Sequence, residues 1–379
     1  MIYNAFQGKK LSALGFGGMR LPTLGKNALI DEEKTREMVD YAIKNGINYF
    51  DTAYGYHGGN SEKVLGKILS SYPRESFYLA DKFPGYDVNY ILADKVEEIF
   101  QEQLDRCGVE YFDFYLFHNV NETNIDAYLD PKYRIYEYLL EQKKKGRIRH
   151  LGFSVHGNLT TTRRFLEAYG KDMEFGQIQL NYIDYHLQNA VAKIKLLRED
   201  GIPVWVMEPL RGGKLCALSE EHTERLSDLR PEENTVSWAF RFLQSIPDVT
   251  VTLSGMSNLQ QLSDNIGYFS ENKPLNEEEN ATLFQIAREM MEKSTLPCTG
   301  CAYCTASCPQ NIDIPWMMEL YNEHSYSGGG WLAPTALGTV PENRRPQACI
   351  GCGACVALCP QNIDIPKMMA DFTEKLEKK

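Results

Sequence analysis

The sequence lacks any apolar run that approaches the roughly 20 residues of a membrane-spanning helix. Its first ten residues are polar and do not contain the apolar core of a secretory signal. Positive charge is also scarce, because 40 Lys and Arg residues stand against 51 Asp and Glu residues, which gives a formal net charge of −11. These absences argue against a membrane or a nucleic acid as a partner, and we expect a cytoplasmic protein.

Cysteine is concentrated in one region, because eight of the ten cysteines belong to two copies of one motif near the C-terminus. The motif is Cys-x2-Cys-x2-Cys-x3-Cys-Pro, and its cysteines are Cys298, Cys301, Cys304 and Cys308 in the first copy and Cys349, Cys352, Cys355 and Cys359 in the second. The six residues after each Cys-Pro step are also identical, Gln-Asn-Ile-Asp-Ile-Pro, and Cys359 lies 51 residues after Cys308. The region is therefore an internal duplication.

This cysteine spacing is that of ferredoxins that hold two 4Fe–4S clusters. Zinc sites more often pair two Cys-x2-Cys units or include histidine, and disulfides require an oxidising compartment, so both alternatives are less favoured. In two-cluster ferredoxins the fourth cysteine of each run binds the other cluster. We therefore expect one cluster on Cys298, Cys301, Cys304 and Cys359, and the other on Cys349, Cys352, Cys355 and Cys308.

The remainder of the chain, from about residue 10 to 270, alternates short apolar β-type runs with amphipathic helical stretches. The predicted strands are Leu11–Gly17, Ile47–Asp51, Phe77–Lys82, Phe112–His118, Ile148–Ser154, Phe175–Asn181, Pro203–Met207 and Val249–Ser254. Eight strand–helix units in series favour an α/β fold of the (β/α)8 TIM-barrel type over a doubly wound open sheet.

At 379 residues, two domains are expected. The predicted domains are the barrel, residues 1–275, and a small, mainly α-helical ferredoxin-like domain, residues 276–379. In the second domain, the Ile-Pro-x-Met-Met segment after each cysteine run is predicted to be helical. The stretch Glu319–Ala348 contains three consecutive glycines and is interpreted as a loop or covering strap.

Reactive side chains follow consecutive strands of the predicted barrel. Asp51 and Tyr56 follow the second strand, Lys82 ends the third and His118 ends the fourth. Taken singly, these residues have ordinary structural explanations: Asp51 as a helix cap, Lys82 as a surface charge and His118 as a rim histidine whose hydrogen bonds are satisfied. Because the C-terminal ends of barrel strands share one rim, the four side chains are expected to meet there. Residues 10–270 thereby resemble the aldo-keto reductase family, whose catalytic tetrad matches Asp51, Tyr56, Lys82 and His118.

The chemistry expected of these four residues is the reduction of a carbonyl, which needs a hydride on carbon and a proton on oxygen. A free tyrosine titrates near pH 10 and is a reluctant acid. Lys82 would stabilise the phenolate of Tyr56, Asp51 would keep Lys82 charged and aimed, and His118 would orient the carbonyl oxygen. Tyr56 would then donate the proton, or remove it in the oxidative direction.

The resemblance also implies NAD(P)H, bound across the barrel mouth. The residues that match the family's cofactor contacts are Ser154, Gln179, Asn181, Met207, Pro209, Leu210, Arg211, Gly213, Ser254, Gly255, Gln261 and Asn265. Two departures stand out. Met207 occupies a position where many members have tyrosine, and the stretch 254–265 has no Lys or Arg for a 2′-phosphate. The choice between NADH and NADPH therefore stays open.

A hydride carries two electrons whereas each cluster carries one, and no flavin-like site is recognisable to convert between them. Three hypotheses follow. The clusters exchange electrons with the carbonyl-reducing site or with an electron-transfer partner such as ferredoxin; or they are structural or redox-sensing while the barrel works alone on a small carbonyl or alcohol; or the protein is an electron-transfer or regulatory module with a vestigial barrel.

Overall fold

The computed structural model describes residues 1–25 and 29–378. The described chain divides into two compact units: the first contains Met1–Tyr182 and Asn189–Thr282, and the second contains Ile183–Gln188 and the chain from Leu283 onward. The sequence placed the boundary at 275/276. In the structure residues 276–282 group with the first unit instead, and the short segment 183–188 groups with the second.

Twelve strands are present in the described residues. They are β1 (Tyr3–Phe6), β2 (Lys9–Ser12), β3 (Leu14–Gly17), β4 (Thr23–Leu24), β5 (Leu29–Ile30), β6 (Tyr49–Asp51), β7 (Tyr78–Phe83), β8 (Phe112–Val120), β9 (Ile148–Val155), β10 (Phe175–Gln179), β11 (Val204–Met207) and β12 (Val249–Gly255). Eight of them form a closed parallel barrel in the order β10-β11-β12-β3-β6-β7-β8-β9. The predicted (β/α)8 fold is confirmed.

Helices follow the barrel strands and continue into the second unit. They are α1 (Glu32–Lys44), α2 (Asn60–Leu69), α3 (Val88–Leu92), α4 (Val96–Cys107), α5 (Ile125–Leu129), α6 (Ile135–Lys144), α7 (Leu159–Tyr169), α8 (Asp184–Leu187), α9 (Ala190–Glu199), α10 (Glu220–Leu229), α11 (Thr235–Gln244), α12 (Leu259–Tyr268), α13 (Glu277–Glu292), α14 (Ile314–Ser327), α15 (Leu332–Leu337) and α16 (Ile365–Glu377). Among the described residues, no helix has the length and apolar character that crossing a membrane requires.

The barrel interior is filled by aromatic side chains towards its N-terminal end. Phe6, from the β1–β2 hairpin, packs edge-on against Trp205 at 5.1 Å between ring centroids and contacts Phe114 at 5.6 Å. Tyr49 also packs against Phe114, at 5.0 Å between ring centroids. Because this layer leaves no pore, polar side chains that face the barrel axis can meet solvent only at the C-terminal mouth.

Two predicted elements differ from the structure. The predicted helix Ile91–Cys107 is divided into α3 and α4, because Asp94 between them has a left-handed backbone (φ 52°) that a continuous helix excludes. The interpretation of Glu319–Ala348 as a loop or strap is wrong, since it contains most of α14 and all of α15. Gly328 caps α14 in the left-handed conformation, and α15 then buries Ala333, Ala336 and Leu337.

The second unit repeats its local structure as its sequence repeats. Asp313 and Asp364 cap α14 and α16 by accepting backbone N–H bonds, each followed by Ile-Pro in the first turn. The segments are helical, as predicted, and both helices bury their methionine pairs in one core, which contains Met317, Met318, Met368 and Met369. The duplication therefore builds two equivalent helix starts, each directly after a cysteine run.

Candidate active site

Three of the four tetrad residues lie at the C-terminal rim of the barrel. Asp51 ends β6, Lys82 lies one residue before the end of β7, and His118 lies in the last third of β8. Tyr56 begins a short 3-10 segment after β6, where His57 and Gly58 both have positive φ angles of 52° and 63°. This tight turn shortens the connection to α2 and holds the phenol at the rim.

Lys82 and Asp51 form a buried ion pair. The Lys82 Nζ donates to Asp51 Oδ1 at 2.6 Å and to the backbone oxygen of Thr52 at 2.6 Å, and its side chain is fully buried. Burial acts to lower the pKa of Lys82, but the Asp51 carboxylate outweighs it and raises that pKa above its ordinary value. Lys82 is thus an ammonium, fixed by two short hydrogen bonds.

Tyr56 lies beside this ammonium. The Lys82 Nζ is 5.1 Å from the centre of the Tyr56 ring. Burial raises the pKa of Tyr56, whereas the charge of Lys82 lowers that pKa. The Asp51 charge raises it again, and the net direction is upward. Lys82 is positioned to favour the phenolate.

His118 packs between two tyrosine rings. Its ring centroid is 6.2 Å from that of Tyr56 and 5.3 Å from that of Tyr86, both in edge-on geometry. Among the described residues, its Nδ1 atom has no hydrogen-bond partner. Burial, and then the Lys82 charge, lower the pKa of His118 well below 6.5. The imidazole is therefore neutral and suited to hydrogen bonding rather than to carrying charge.

The neutral state of His118 can be measured. At pH 6.5 an ordinary histidine is half protonated, whereas His118 should stay neutral, because its pKa is lowered in the folded protein. Nitrogen NMR of histidine-labelled protein, with His118→Gln for assignment, gives the tautomer directly. Since only the unfolded chain gains this proton, His118 should make the protein less stable as pH falls through 6.5. A half-protonated His118 at that pH would contradict the description.

The residues matched to cofactor contacts lie on the remaining arc of the same rim, at or after the ends of β9 to β12. Some already bond one another. Ser154 Oγ accepts the Asn119 N–H at 2.8 Å, Asn181 Nδ2 donates to the Glu208 oxygen at 2.9 Å, and Asn265 Nδ2 donates to Ser254 Oγ at 3.1 Å. These bonds tie the strand ends together around the mouth.

The loops after β11 and β12 have the features of an anion cradle. Gly213 has a φ of 92° with open space where a side chain would stand, and Arg211 beside it is buried. The helix α12 begins after Asn258, whose side chain accepts the Gln261 N–H at 2.9 Å. Backbone amides at a helix start and an open glycine turn fit a dinucleotide pyrophosphate.

Met207 lies at the end of β11, and its sulfur accepts a hydrogen bond from Gln177 Nε2 at 3.6 Å. The exposed Arg20 from the loop after β3 comes close to the loop after β12, because a side chain on Gly255 would lie 2.6 Å from Arg20 Cγ. Arg20 thus brings a positive charge from outside the stretch 254–265 to the loop after β12.

Sequence reasoning missed Tyr86 as a site residue. Tyr86 lies in the loop after β7, four positions after Lys82, and its ring packs on His118 and on Tyr90. Its hydroxyl also lies where a side chain on Gly55 would stand, at 2.4 Å from that position. The sequence could have indicated Tyr86 through its position in a loop after a barrel strand, because such loops line the mouth of the barrel.

In the second unit the cysteines line two cavities. Cys298, Cys301, Cys304 and Cys359 line one cavity, and Cys308, Cys349, Cys352 and Cys355 line the other. Ile314 and Ile365 contribute to the wall of both. In the described part of the chain, no three His, Cys, Asp or Glu side chains converge as they would on a single metal ion. Four thiols around a shared space suit a cluster better than zinc.

Comparison with known proteins agrees with this geometry. The family model described as "Aldo/keto reductase family" matches residues 13–288. The chain belongs to the aldo/keto reductase family. It is thus an oxidoreductase of the NAD(P)H-dependent type. A second family model, "4Fe-4S dicluster domain", matches residues 297–363 of this aldo/keto reductase, which confirms the predicted combination of a barrel and an iron–sulfur domain.

Among relatives, the aldo/keto reductase is similar to an NADH-specific methylglyoxal reductase of Escherichia coli, at 28% identity over 50% of this chain and 60% of that protein. It is also similar to L-galactose dehydrogenase of Arabidopsis thaliana, at 25% identity over 70% of this chain and 86% of that protein. The solved structure of aldo-keto reductase AKR11C1 from Bacillus halodurans superposes with a TM-score of 0.61 and 26% identity, covering 76% of this chain and 96% of that one.

Proposed function

We propose that the barrel interconverts a small aldehyde or ketone and its alcohol, with Tyr56 as the proton donor or acceptor. The observation that carries the proposal is the buried Lys82–Asp51 pair, with Nζ to Oδ1 at 2.6 Å, beside the Tyr56 ring. NAD(P)H supplies or accepts the hydride when bound. The cofactor's residues in this chain are those of the β9 to β12 arc, with Ser154, Gln179 and Asn181 towards the carboxamide.

Each tetrad residue has a separate task in this proposal. Lys82 offsets the charge that develops on the Tyr56 oxygen as its proton leaves for the carbonyl oxygen. Asp51 fixes Lys82 and keeps it protonated. His118, being neutral, donates a hydrogen bond to the carbonyl oxygen without repelling Lys82. A protonated imidazole beside the ammonium would cost like-charge repulsion, which is why a lowered pKa of His118 suits the role.

The cofactor preference is proposed to lean towards NADH. The stretch 254–265 has no Lys or Arg, so a 2′-phosphate with about two negative charges would find no cation in that loop. The similarity to an NADH-specific reductase is in line with this preference. Arg20, whose side chain lies beside Gly255, is the candidate through which NADPH would still bind.

The proposal is tested with anaerobically purified full-length protein and a carbonyl panel assayed with both nicotinamides. The panel includes an α-oxoaldehyde such as methylglyoxal and an aldose, together with simple aldehydes and ketones. We expect carbonyl-dependent oxidation of NADH at a higher kcat/KM than of NADPH. If no carbonyl is reduced and no alcohol is oxidised with either cofactor, the proposal fails.

We propose further that the two cysteine-lined cavities hold two 4Fe–4S clusters with crossed ligands. The clusters would supply one-electron chemistry when bound. The crossed grouping makes a specific prediction: Cys359→Ala, in the second run, should remove the cluster otherwise held by the first run. The iron content and the electron paramagnetic resonance spectrum of Cys359→Ala should match those of Cys301→Ala and differ from those of Cys352→Ala. A match between Cys359→Ala and Cys352→Ala would contradict the crossed assignment.

A second role, electron exchange with a one-electron carrier such as ferredoxin, is favoured by the surface around the cavities. Tyr303, Ile350 and Leu358 lie within the cysteine runs and are 67%, 62% and 46% exposed. No charged residue occurs in residues 298–308 or 349–359. If the clusters take part in turnover, NADH or substrate should bleach their absorbance at the rate of turnover. Unchanged absorbance throughout turnover would leave them structural or redox-sensing.

A further inference from the structure

A buried pair of carboxyl groups lies directly behind Lys82 and is not used by the tetrad. Asp81, on β7, and Glu62, on α2, are both fully buried. Asp81 Oδ1 accepts the backbone N–H of Lys82 at 2.8 Å, and Glu62 lies close enough for its charge to raise the pKa of Asp81. Two buried carboxyl groups that lie close together avoid like-charge repulsion when one of them carries a proton, which it can donate to the other.

The backbone oxygen of Lys82 is also hydrogen-bonded within this buried group, to a residue that contacts Glu62. Gln103 Nε2, from α4, donates to the Lys82 backbone oxygen at 3.0 Å and to Glu62 Oε1 at 3.1 Å. The Tyr115 hydroxyl donates to Gln103 Oε1 at 2.5 Å, which fixes the orientation of the amide. The backbone N–H and C=O of Lys82 are therefore both bonded to a buried network that includes the carboxyl pair.

The charges around the pair indicate which group is neutral. The Arg106 guanidinium donates to Glu62 Oε2 at 2.9 Å, and Lys82 is paired with Asp51. Arg106 also pairs with Glu102, so these two cations are already matched by the carboxylates of Glu62, Glu102 and Asp51. An ionised Asp81 would therefore add an uncompensated buried negative charge. The ionisable groups that face Asp81 from the elements packed against it are Glu62 on α2, Lys82 on β7, Arg106 and Cys107 on α4, and Tyr115 on β8.

We propose that Asp81 carries a proton that it shares with the Glu62 carboxylate, and that Asp81, uncharged in this way, is a positioning residue for Lys82. Its effect on turnover rests on the proposed function, but the proton itself does not. Burial, and then the Glu62 charge, raise the pKa of Asp81 well above its ordinary value, in agreement with the charge count. Ionisation of Asp81 would place a second carboxylate next to the ammonium, draw it from Asp51 and oppose the phenolate of Tyr56.

The test uses the full-length protein with its clusters loaded. At neutral pH, infrared spectra should contain the C=O band of a protonated carboxylic acid that disappears in Asp81→Asn. The same band should remain in Tyr56→Phe, and its frequency should shift in Glu62→Gln. The proposal is overturned if the band is absent from the wild type, persists in Asp81→Asn or keeps its frequency in Glu62→Gln, whether or not any variant is active.

Kinetics test the positioning role. Asp81→Asn keeps the neutral shape and both hydrogen bonds, so its kcat should stay within roughly threefold of the wild type. Asp81→Leu cannot accept the Lys82 N–H, so kcat should fall roughly tenfold to hundredfold while KM for the carbonyl changes much less, as for a small misplacement of a catalytic group. An Asp81→Leu enzyme with wild-type kcat would overturn the positioning role of Asp81. If that variant does not fold, the infrared measurement decides on the proposal. A wild type with no carbonyl activity would instead refute the proposed function.

Discussion

Tyr56→Phe should lower kcat for carbonyl reduction by about 10³-fold, the middle of the range for loss of a general acid. The variant keeps the aromatic ring that packs against His118 and removes only the oxygen beside Lys82. The affinity for the dinucleotide should therefore be unchanged. Steady-state kinetics together with fluorescence titration of NADH separate the two quantities.

A matched control for this variant lies two residues away. Tyr54 is in the same loop, and its hydroxyl donates to Glu102 at 2.8 Å, away from the tetrad. Tyr54→Phe should leave kcat within about twofold, as surface changes generally do. Equal losses in the two variants, or no loss in Tyr56→Phe, would mean that the phenol of Tyr56 is not the proton donor.

Lys82→Met should also reduce kcat, by roughly 10²-fold to 10³-fold, for an electrostatic reason. Without the ammonium, nothing positive offsets the phenolate, so the pKa of Tyr56 rises. The ionisation that limits alcohol oxidation should then move to higher pH. The pH dependence of kcat in the oxidative direction measures this shift, and Lys67→Met, which changes a lysine with 65% of its side chain exposed, is the control.

The contributions of the Lys82–Asp51 ion pair to stability and to catalysis can be measured separately. Lys82→Met alone leaves the Asp51 carboxyl buried without its cation, which should cost about 3–5 kcal/mol of unfolding free energy. The double variant Asp51→Leu/Lys82→Met replaces both charges with apolar groups and should recover much of that loss. It should still be inactive. Recovery of activity along with stability would show that the ion pair serves folding alone.

The sequence was most informative where local pattern and chemistry agree. The eight barrel strands are short apolar runs bounded by turn residues, and each lies where it was predicted, with ends shifted by up to three residues. The positions of Asp51, Lys82 and His118 at strand ends follow from the parallel topology alone, since all eight strands end on one rim. The cysteine spacing likewise predicted the two groups that line the cavities.

What the sequence could not supply depends on contacts between distant residues. The helix α15 was missed because it has only 6 residues and the three preceding glycines indicate a loop, whereas burial of its apolar residues in the same core as α14 stabilises it. The pair of Asp81 and Glu62 was not recognised either. Glu62 is an ordinary residue near the start of α2, and nothing local indicates that α2 and β7 bring it against a second carboxyl.

The central claim, that this mouth transfers a hydride to a carbonyl, is tested most directly with NADH deuterated on one face of its reactive ring carbon. The account predicts that the alcohol product carries one deuterium on its carbinol carbon from one of the two labelled faces and none from the other, and that its yield after a fixed short time falls about 10³-fold in Tyr56→Phe. Alcohol that contains no deuterium from either face, or the same yield from the Tyr56→Phe protein, would contradict it.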